Sequence, residues 1–241
     1  MVKRIFILIA ALFWAYHSAM AYCNNGGKET LGNHPWQSLY KSQKDTLNWT
    51  STRKRAFPND GWLIKDNELI LLSGKDGGDI LTKREYADFE LTLEFKMSKL
   101  VNSGVKYFVN RMKNSEKGKA ELVGFEYQII DDFHQDEIPG FTDAKGSTGA
   151  IYLLQAPKSN KHLNPLGEWN SLKIRVDKGK VTHWLNGKKI VSVNTETEAF
   201  KNQIRQSKFK YFENFGNKKS GFILLQDHGS EIHYRNIMIK E

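Results

Sequence analysis

Strict alternation of apolar and polar residues runs through positions 89–97. Phe89, Leu91, Leu93, Phe95 and Met97 are apolar, and Glu90, Thr92, Glu94 and Lys96 between them are polar. Successive side chains of a strand point to opposite faces, so this pattern buries one face and wets the other, as an antiparallel sheet does. Leu172, Ile174 and Val176 repeat it against Lys173, Arg175 and Asp177. A turn at Lys178-Gly179-Lys180 leads into a return strand over 181–185. Asn186-Gly187 is then a strong hairpin signal, and 190–193 closes a meander. Further strands are expected over 62–64, 68–72, 104–109, 124–130, 149–154, 221–226 and 232–239. About ten short strands with frequent turns predict an all-β fold, a β-sandwich or jelly roll of two antiparallel sheets. One short helix is expected, where Thr195 and Glu198 form a capping box and Ala199, Phe200, Ile204 and Phe209 supply an apolar face. Residues 22–50 lack periodicity and are expected to pack on the outside.

The first 21 residues read as a secretory signal. Lys3 and Arg4 precede an apolar stretch over 5–16 that is short for a membrane span, and Ala19-Met20-Ala21 fits the small-x-small cleavage rule. Residues 22–241 are then a single exported domain, periplasmic or secreted, with no stable membrane insertion once the signal is removed. Tyr22 before Cys23 argues against lipid attachment at that cysteine, because the residue preceding a lipidated cysteine is small. A single cysteine excludes a disulfide framework and a multi-cysteine zinc site. Loss of Lys3 and Arg4 lowers the net charge from +9 to +7. The remaining basic residues are scattered over many segments, which suits a solvated surface and gives no nucleic-acid-binding pattern.

Polar residues inside strands mark the candidate site. Glu126 and Gln128 share one face of the 124–130 strand, and Gln226 and His228 share one face if the 221–226 strand continues. Between them in sequence lies Asp131-Asp132-Phe133-His134-Gln135-Asp136-Glu137. A histidine flanked by carboxylates suits acid/base work. The same residue types suit an oxygen/nitrogen metal site, and an acidic solvated loop explains them equally well. By its alternation with Val181 and Leu185, His183 reads as a packing histidine. No GxSxG elbow, P-loop, HExxH or dinucleotide fingerprint is present, so serine-hydrolase, nucleotide and zincin chemistries lack support.

Seven motifs in order carry a resemblance: Asn102-Ser103-Gly104-Val105, Gly124-Phe125-Glu126-Tyr127-Gln128-Ile129-Ile130-Asp131, Gly149-Ala150-Ile151-Tyr152, Gly167-Glu168-Trp169-Asn170, His183-Trp184-Leu185-Asn186-Gly187, Leu225-Gln226-Asp227-His228-Gly229 and Arg235-Asn236-Ile237. From about residue 36 to 240 the chain resembles the 3-keto-disaccharide hydrolase family. Residues 62–69 fit that family's early Trp-x-x-x-Asp-Gly-x-Leu pattern with Asn67 in place of its glycine, and Lys106-Tyr107-Phe108 departs from its aromatic-Arg ending. The resemblance implies a concanavalin A-like sandwich that acts on an oxidised oligosaccharide or glycoside. A ketone at sugar carbon three acidifies the hydrogen on carbon two. Removing that proton lets the glycosidic oxygen leave from carbon one, and water adding to the enone completes a net hydrolysis. The residues carried over from matching motifs are Glu126, Gln128, Asp131, His134, Gln226 and His228, and Asn102 and Lys106 join them as candidates. His134 or His228 is the base, with Glu126 and Asp131 orienting it or, with His134, holding a divalent cation. Gln128, Gln226, Asn102 and Lys106 bind the sugar. A non-catalytic carbohydrate-binding module on the same sandwich is the alternative, and a two-carboxylate glycosidase is a third reading.

Overall fold

A computed structural model describes residues 34–241 except 54, 55, 59 and 142. The signal segment and Cys23 lie outside the described residues. Thirteen strands are present among them: β1 (Gln37–Tyr40), β2 (Trp49–Ser51), β3 (Trp62–Lys65), β4 (Glu68–Leu71), β5 (Ile80–Thr82), β6 (Phe89–Met97), β7 (Asn102–Asn114), β8 (Lys119–Ile130), β9 (Trp169–Asp177), β10 (Lys180–Leu185), β11 (Lys188–Asn194), β12 (Phe222–Leu225) and β13 (Ile232–Lys240), with helix α1 (Glu198–Gln206) before β12. They form two antiparallel sheets. The larger runs β11-β10-β9-β6-β13-β4-β3, with β1 also paired to β13, and the smaller runs β2-β5-β12-β7-β8.

The alternation at 89–97 becomes β6, in the middle of the larger sheet. Its apolar residues are at most 2% exposed and pack toward the smaller sheet, against Val105, Tyr107, Phe125, Tyr127 and Ile223. The wet face of β6 is held by charge pairs. Arg175 lies 3.4 Å from Glu90, and Lys240 reaches the other Glu90 oxygen at 3.1 Å. The 172–193 meander appears as read, as β9, β10 and β11.

Three regions differ from the sequence reading. Of the 22–50 segment, the described residues 34–50 do not simply pack outside: β1 joins β13, and Tyr40 and Trp49 are wholly buried core residues. Their strands are four and three residues long, too short to show a period. Residues 149–154 are a curled strap rather than a strand. They meet β8 through Gln128 N to Ala150 O (3.2 Å), Gly149 N to Gln128 O (2.8 Å) and Tyr152 N to Glu126 O (3.0 Å), then turn back so that Ile151 bridges Gln155. The helix starts at Glu198, capped by Thr197, whose Oγ1 accepts from Phe200 N. Thr195 instead donates to Gly179 O.

A bulge shapes the smaller sheet. The β7 register shifts between Tyr107 and Asn110, with Phe108 in the left-handed region at φ 54°. Tyr107 and Phe108 therefore both turn into the core, while Val109 joins Leu81 and Leu224 on the outer face. Bulges bend a strand and increase its twist. The bulged backbone presses so closely on Gly124 and Gly221 that a Cβ on either would overlap it.

His183 lies in the core, as its alternation suggested. Nδ1 is 2.9 Å from Gly149 O, which can only accept, so Nδ1 carries the hydrogen and Nε2 accepts from Tyr107 Oη at 3.0 Å. Complete burial pushes the ring down to about 4. Its folded value is thus below the ordinary 6.5, and its contribution is fully present above 6.5 and lost as pH falls toward 4. The pH span corresponds to about 3 kcal/mol. In urea unfolding, His183→Gln should be less stable than the parent at pH 7, and the gap should narrow steadily between pH 6.5 and 4. A gap independent of pH would contradict a neutral buried ring.

Candidate active site

The site is built on one face of β7, β8 and the end of β12. Alternation puts Asn102, Gly104 and Lys106 of β7 on the same face as Glu126 and Gln128 of β8. The register sets Lys106 opposite Glu126 and Gly104 opposite Gln128. On the other side of β7, Gln226 N donates to Gly104 O at 3.0 Å. Gly104 is therefore a gap in the side-chain layer between two polar strands. Glu126 leans into that gap, where a Cβ would overlap its Oε1. Gln226 closes a triangle above it. In the amide orientation that satisfies both neighbours, Gln226 Nε2 donates to Glu126 Oε1 at 3.2 Å and its Oε1 accepts from Lys106 Nζ at 3.1 Å. Lys106 Nζ lies 3.9 Å from Glu126 Oε2. Gln128 Nε2 donates to Asn102 Oδ1 at 3.1 Å beside this triangle.

These residues line a cleft of about 270 Å³, whose other walls include Tyr152, Lys208, Phe209, Phe212 and His228. Lys117 and Glu121, an ion pair at 3.2 Å, also line it. Glu126 is 6% exposed. Burial raises its carboxyl above the ordinary range, and the charges of Lys106 and Lys208 offset only part of that. Asp79 is also raised by burial, with Lys106 opposing the shift. Its Oδ1 accepts from Asp227 N at 2.8 Å. Tyr152 is pushed up by burial and by the Glu126 charge. A carboxyl whose proton affinity is raised by burial, set beside lysine side chains, can move a proton, and the lysines can hold developing negative charge.

Six of the eight sequence-predicted residues converge on this cleft: Asn102, Lys106, Glu126, Gln128, Gln226 and His228. Asp131 and His134 are not among its lining residues. Asp131 is wholly buried and organises the loop after β8. Its Oδ2 accepts from Leu100 N (2.9 Å) and His134 Nδ1 (2.8 Å), and its Oδ1 accepts from Phe133 N (3.0 Å). It lies five residues beyond Glu126, about 17 Å along an extended strand. The cation set Glu126, Asp131 and His134 is therefore not assembled, and no group of three or more His, Cys, Asp or Glu among the described residues is placed to hold a metal ion. These residues do not fit the divalent cation that the sequence reading offered as one alternative.

Tyr152 and Lys208 were missed. Tyr152 sits on the irregular strap and Lys208 on the 3₁₀ turn Lys208–Tyr211, where no period-2 signal exists.

Two packed antiparallel sheets are the architecture of galectin-like folds. The chain superimposes at TM-score 0.50 on a Bacillus subtilis protein described as having a galectin-like fold, at 13% identity over 83% of this chain and 92% of that one. Residues 35–240 match the 3-keto-alpha-glucoside-1,2-lyase-like domain, and the chain belongs to that family. It is 32% identical over 217 residues to a 3-keto-disaccharide hydrolase of Bacteroides thetaiotaomicron, covering 80% of this chain and 73% of the relative. A crystal structure of a putative glycosyl hydrolase from Parabacteroides distasonis is 28% identical, with TM-score 0.71 over 85% of this chain and 93% of that one.

Because burial raises Glu126 in the folded chain, ionising it costs folding free energy as pH climbs above the unfolded carboxylate range. Glu126→Gln keeps the shape and removes that cost. The variant should match the parent near pH 4 and exceed it in thermal midpoint at pH 8. A variant less stable at pH 8 than at pH 4, relative to the parent, would show that the lysine contacts outweigh desolvation.

Proposed function

We propose that this protein is a glycoside-cleaving enzyme that acts on 3-keto-glycosides by proton abstraction at carbon two and elimination of the glycosidic oxygen. The observation that carries this reading is the triangle of Glu126, Lys106 and Gln226 over Gly104. One buried carboxyl with ammonium groups beside it suits enolate chemistry better than oxocarbenium chemistry. A conventional glycosidase uses two carboxyls flanking the bond about 5–9.5 Å apart. Here the other carboxyls lining the cleft are Glu116, which is exposed, and Glu121, which its hydrogen bond to Lys117 holds below the ordinary carboxylate range.

In this mechanism Glu126 removes the proton on carbon two while the keto oxygen lies toward the lysine side of the cleft. The electron pair moves onto the carbonyl, and the glycosidic carbon–oxygen bond then breaks. Glu126 returns its proton to the leaving oxygen, and water adding to the enone gives the hydrolysis product. Gln128 and Asn102 orient sugar hydroxyls, and the exposed His228 closes the rim. The family membership and the named relative support the 3-keto substrate class. The reading includes export to the periplasm or medium, which the signal-like residues 1–21 support.

Mass spectrometry of products from a panel of 3-keto and unoxidised glycosides tests it. Only the 3-keto members should be cleaved, and deuterium at carbon two should slow the reaction. Glu126→Gln should lower turnover by about 10²–10⁴-fold, the range for a positioned acid or base. Cleavage of unoxidised glycosides would favour the two-carboxylate reading, and binding without product release would favour a carbohydrate-binding module.

A further inference from the structure

We propose that Lys208 is a nucleophile of this cleft, its amine condensing with the keto group of the substrate to form a protonated Schiff base that takes up the electron pair released at carbon two. The inference rests on the 3-keto reading above and deepens it by naming the electron sink.

Placement comes first. Lys208 opens the 3₁₀ turn Lys208–Tyr211, and the turn is pinned from behind. Ser207 Oγ accepts from Phe209 N at 3.1 Å, and Phe209 stacks on Phe215 with ring centroids 4.2 Å apart and planes 9° from parallel. The backbone is fixed while the side chain lines the cleft with Glu126 and Lys106. Its Nζ lies 4.8 Å from the centroid of the Tyr152 ring.

Bonding separates Lys208 from the other lysines that could serve. Lys106 is committed to Gln226 and Glu126. Lys161, also withdrawn from water, is committed to Asp132 at 2.6 Å and to Thr148 O at 2.6 Å. Lys208 has no hydrogen bond or ion pair among the described residues; its contacts are the faces of Tyr152 and Phe209. Partial withdrawal from water lowers its affinity for a proton, and the positive charges of Lys106 and Lys117 add to that against the pull of Glu126. An amine next to another cationic group is the recurring way a lysine becomes nucleophilic toward carbonyl carbon.

The steps balance within the cleft. The Nζ lone pair adds to carbon three, and water leaves with a proton supplied by Glu126, giving the iminium and a Glu126 carboxylate. That carboxylate takes the proton on carbon two, whose electron pair forms the carbon two–carbon three double bond while the iminium pair moves onto nitrogen. The pair returns, the carbon one–oxygen bond breaks, and the leaving oxygen takes the proton from Glu126. Water then adds to carbon three, releasing the enone and the free amine and restoring the proton on Glu126. Nothing is oxidised or reduced. The charge of Lys106 adds to the burial that lowers the proton affinity of Lys208.

The test is borohydride trapping. The protein is mixed with a methyl 3-keto-glucoside, reduced with sodium borohydride, and analysed by intact-mass spectrometry and peptide mapping, with cleavage of the same glycoside followed in parallel. One reduced adduct per chain is expected, on the peptide holding Lys208, and it should vanish in Lys208→Arg. That variant keeps the positive charge, so it should lose turnover along with the adduct, while its urea midpoint stays that of the parent. Cleavage by the parent without any adduct, or turnover retained in Lys208→Arg, overturns the lysine proposal and leaves the 3-keto reading standing. An adduct on Lys208 without cleavage supports the lysine and sinks the reaction. Neither adduct nor cleavage sinks both.

Discussion

The cleft depends on a missing side chain. Gly104 lies between Glu126 on one neighbouring strand and Gln226 on the other, and its bare backbone lets the carboxyl lie flat over β7. Without that opening Glu126 could not meet Gln226, and Gln226 could not link it to Lys106. The carboxyl is buried because it fits there, and it is raised because it is buried. Geometry and proton affinity in this site thus have a common origin in one residue with no Cβ.

The framework was largely readable in the chain, and the reason is physical. Strands wet on one face must alternate, and β6, β9 and β10 do so. Their edges and turns followed within a residue or two. Short strands such as β1, β2 and β5 are too brief to display a period. The strap at 149–154 looked like a strand because it is apolar and does hydrogen-bond β8, but curling there is decided by tertiary contacts.

The site was legible in the same proportion. In-strand polar residues pointed to Glu126, Gln128, Gln226 and His228, since a sheet face tolerates such residues only where water or a ligand meets them. His134 misled because residue type suggested chemistry, whereas its partner Asp131 is occupied with backbone N–H groups. Lys208 and Tyr152 come from a turn and a strap, and only the folded chain brings such segments to the face of a sheet. Residues delivered by irregular backbone carry no pattern of their own.

The strap has a further role. β8 is the last strand of the smaller sheet, twelve residues long and apolar over much of its length. A strand of that kind, left bare, is a template on which another chain can add. Residues 149–152 occupy its backbone groups beside Glu126 and Gln128, then fold back on themselves and present no new straight edge of their own. The segment that contributes Tyr152 to the cleft is also the stopper that guards this border against self-assembly, so changes that reshape the cleft wall from this side also bear on solubility.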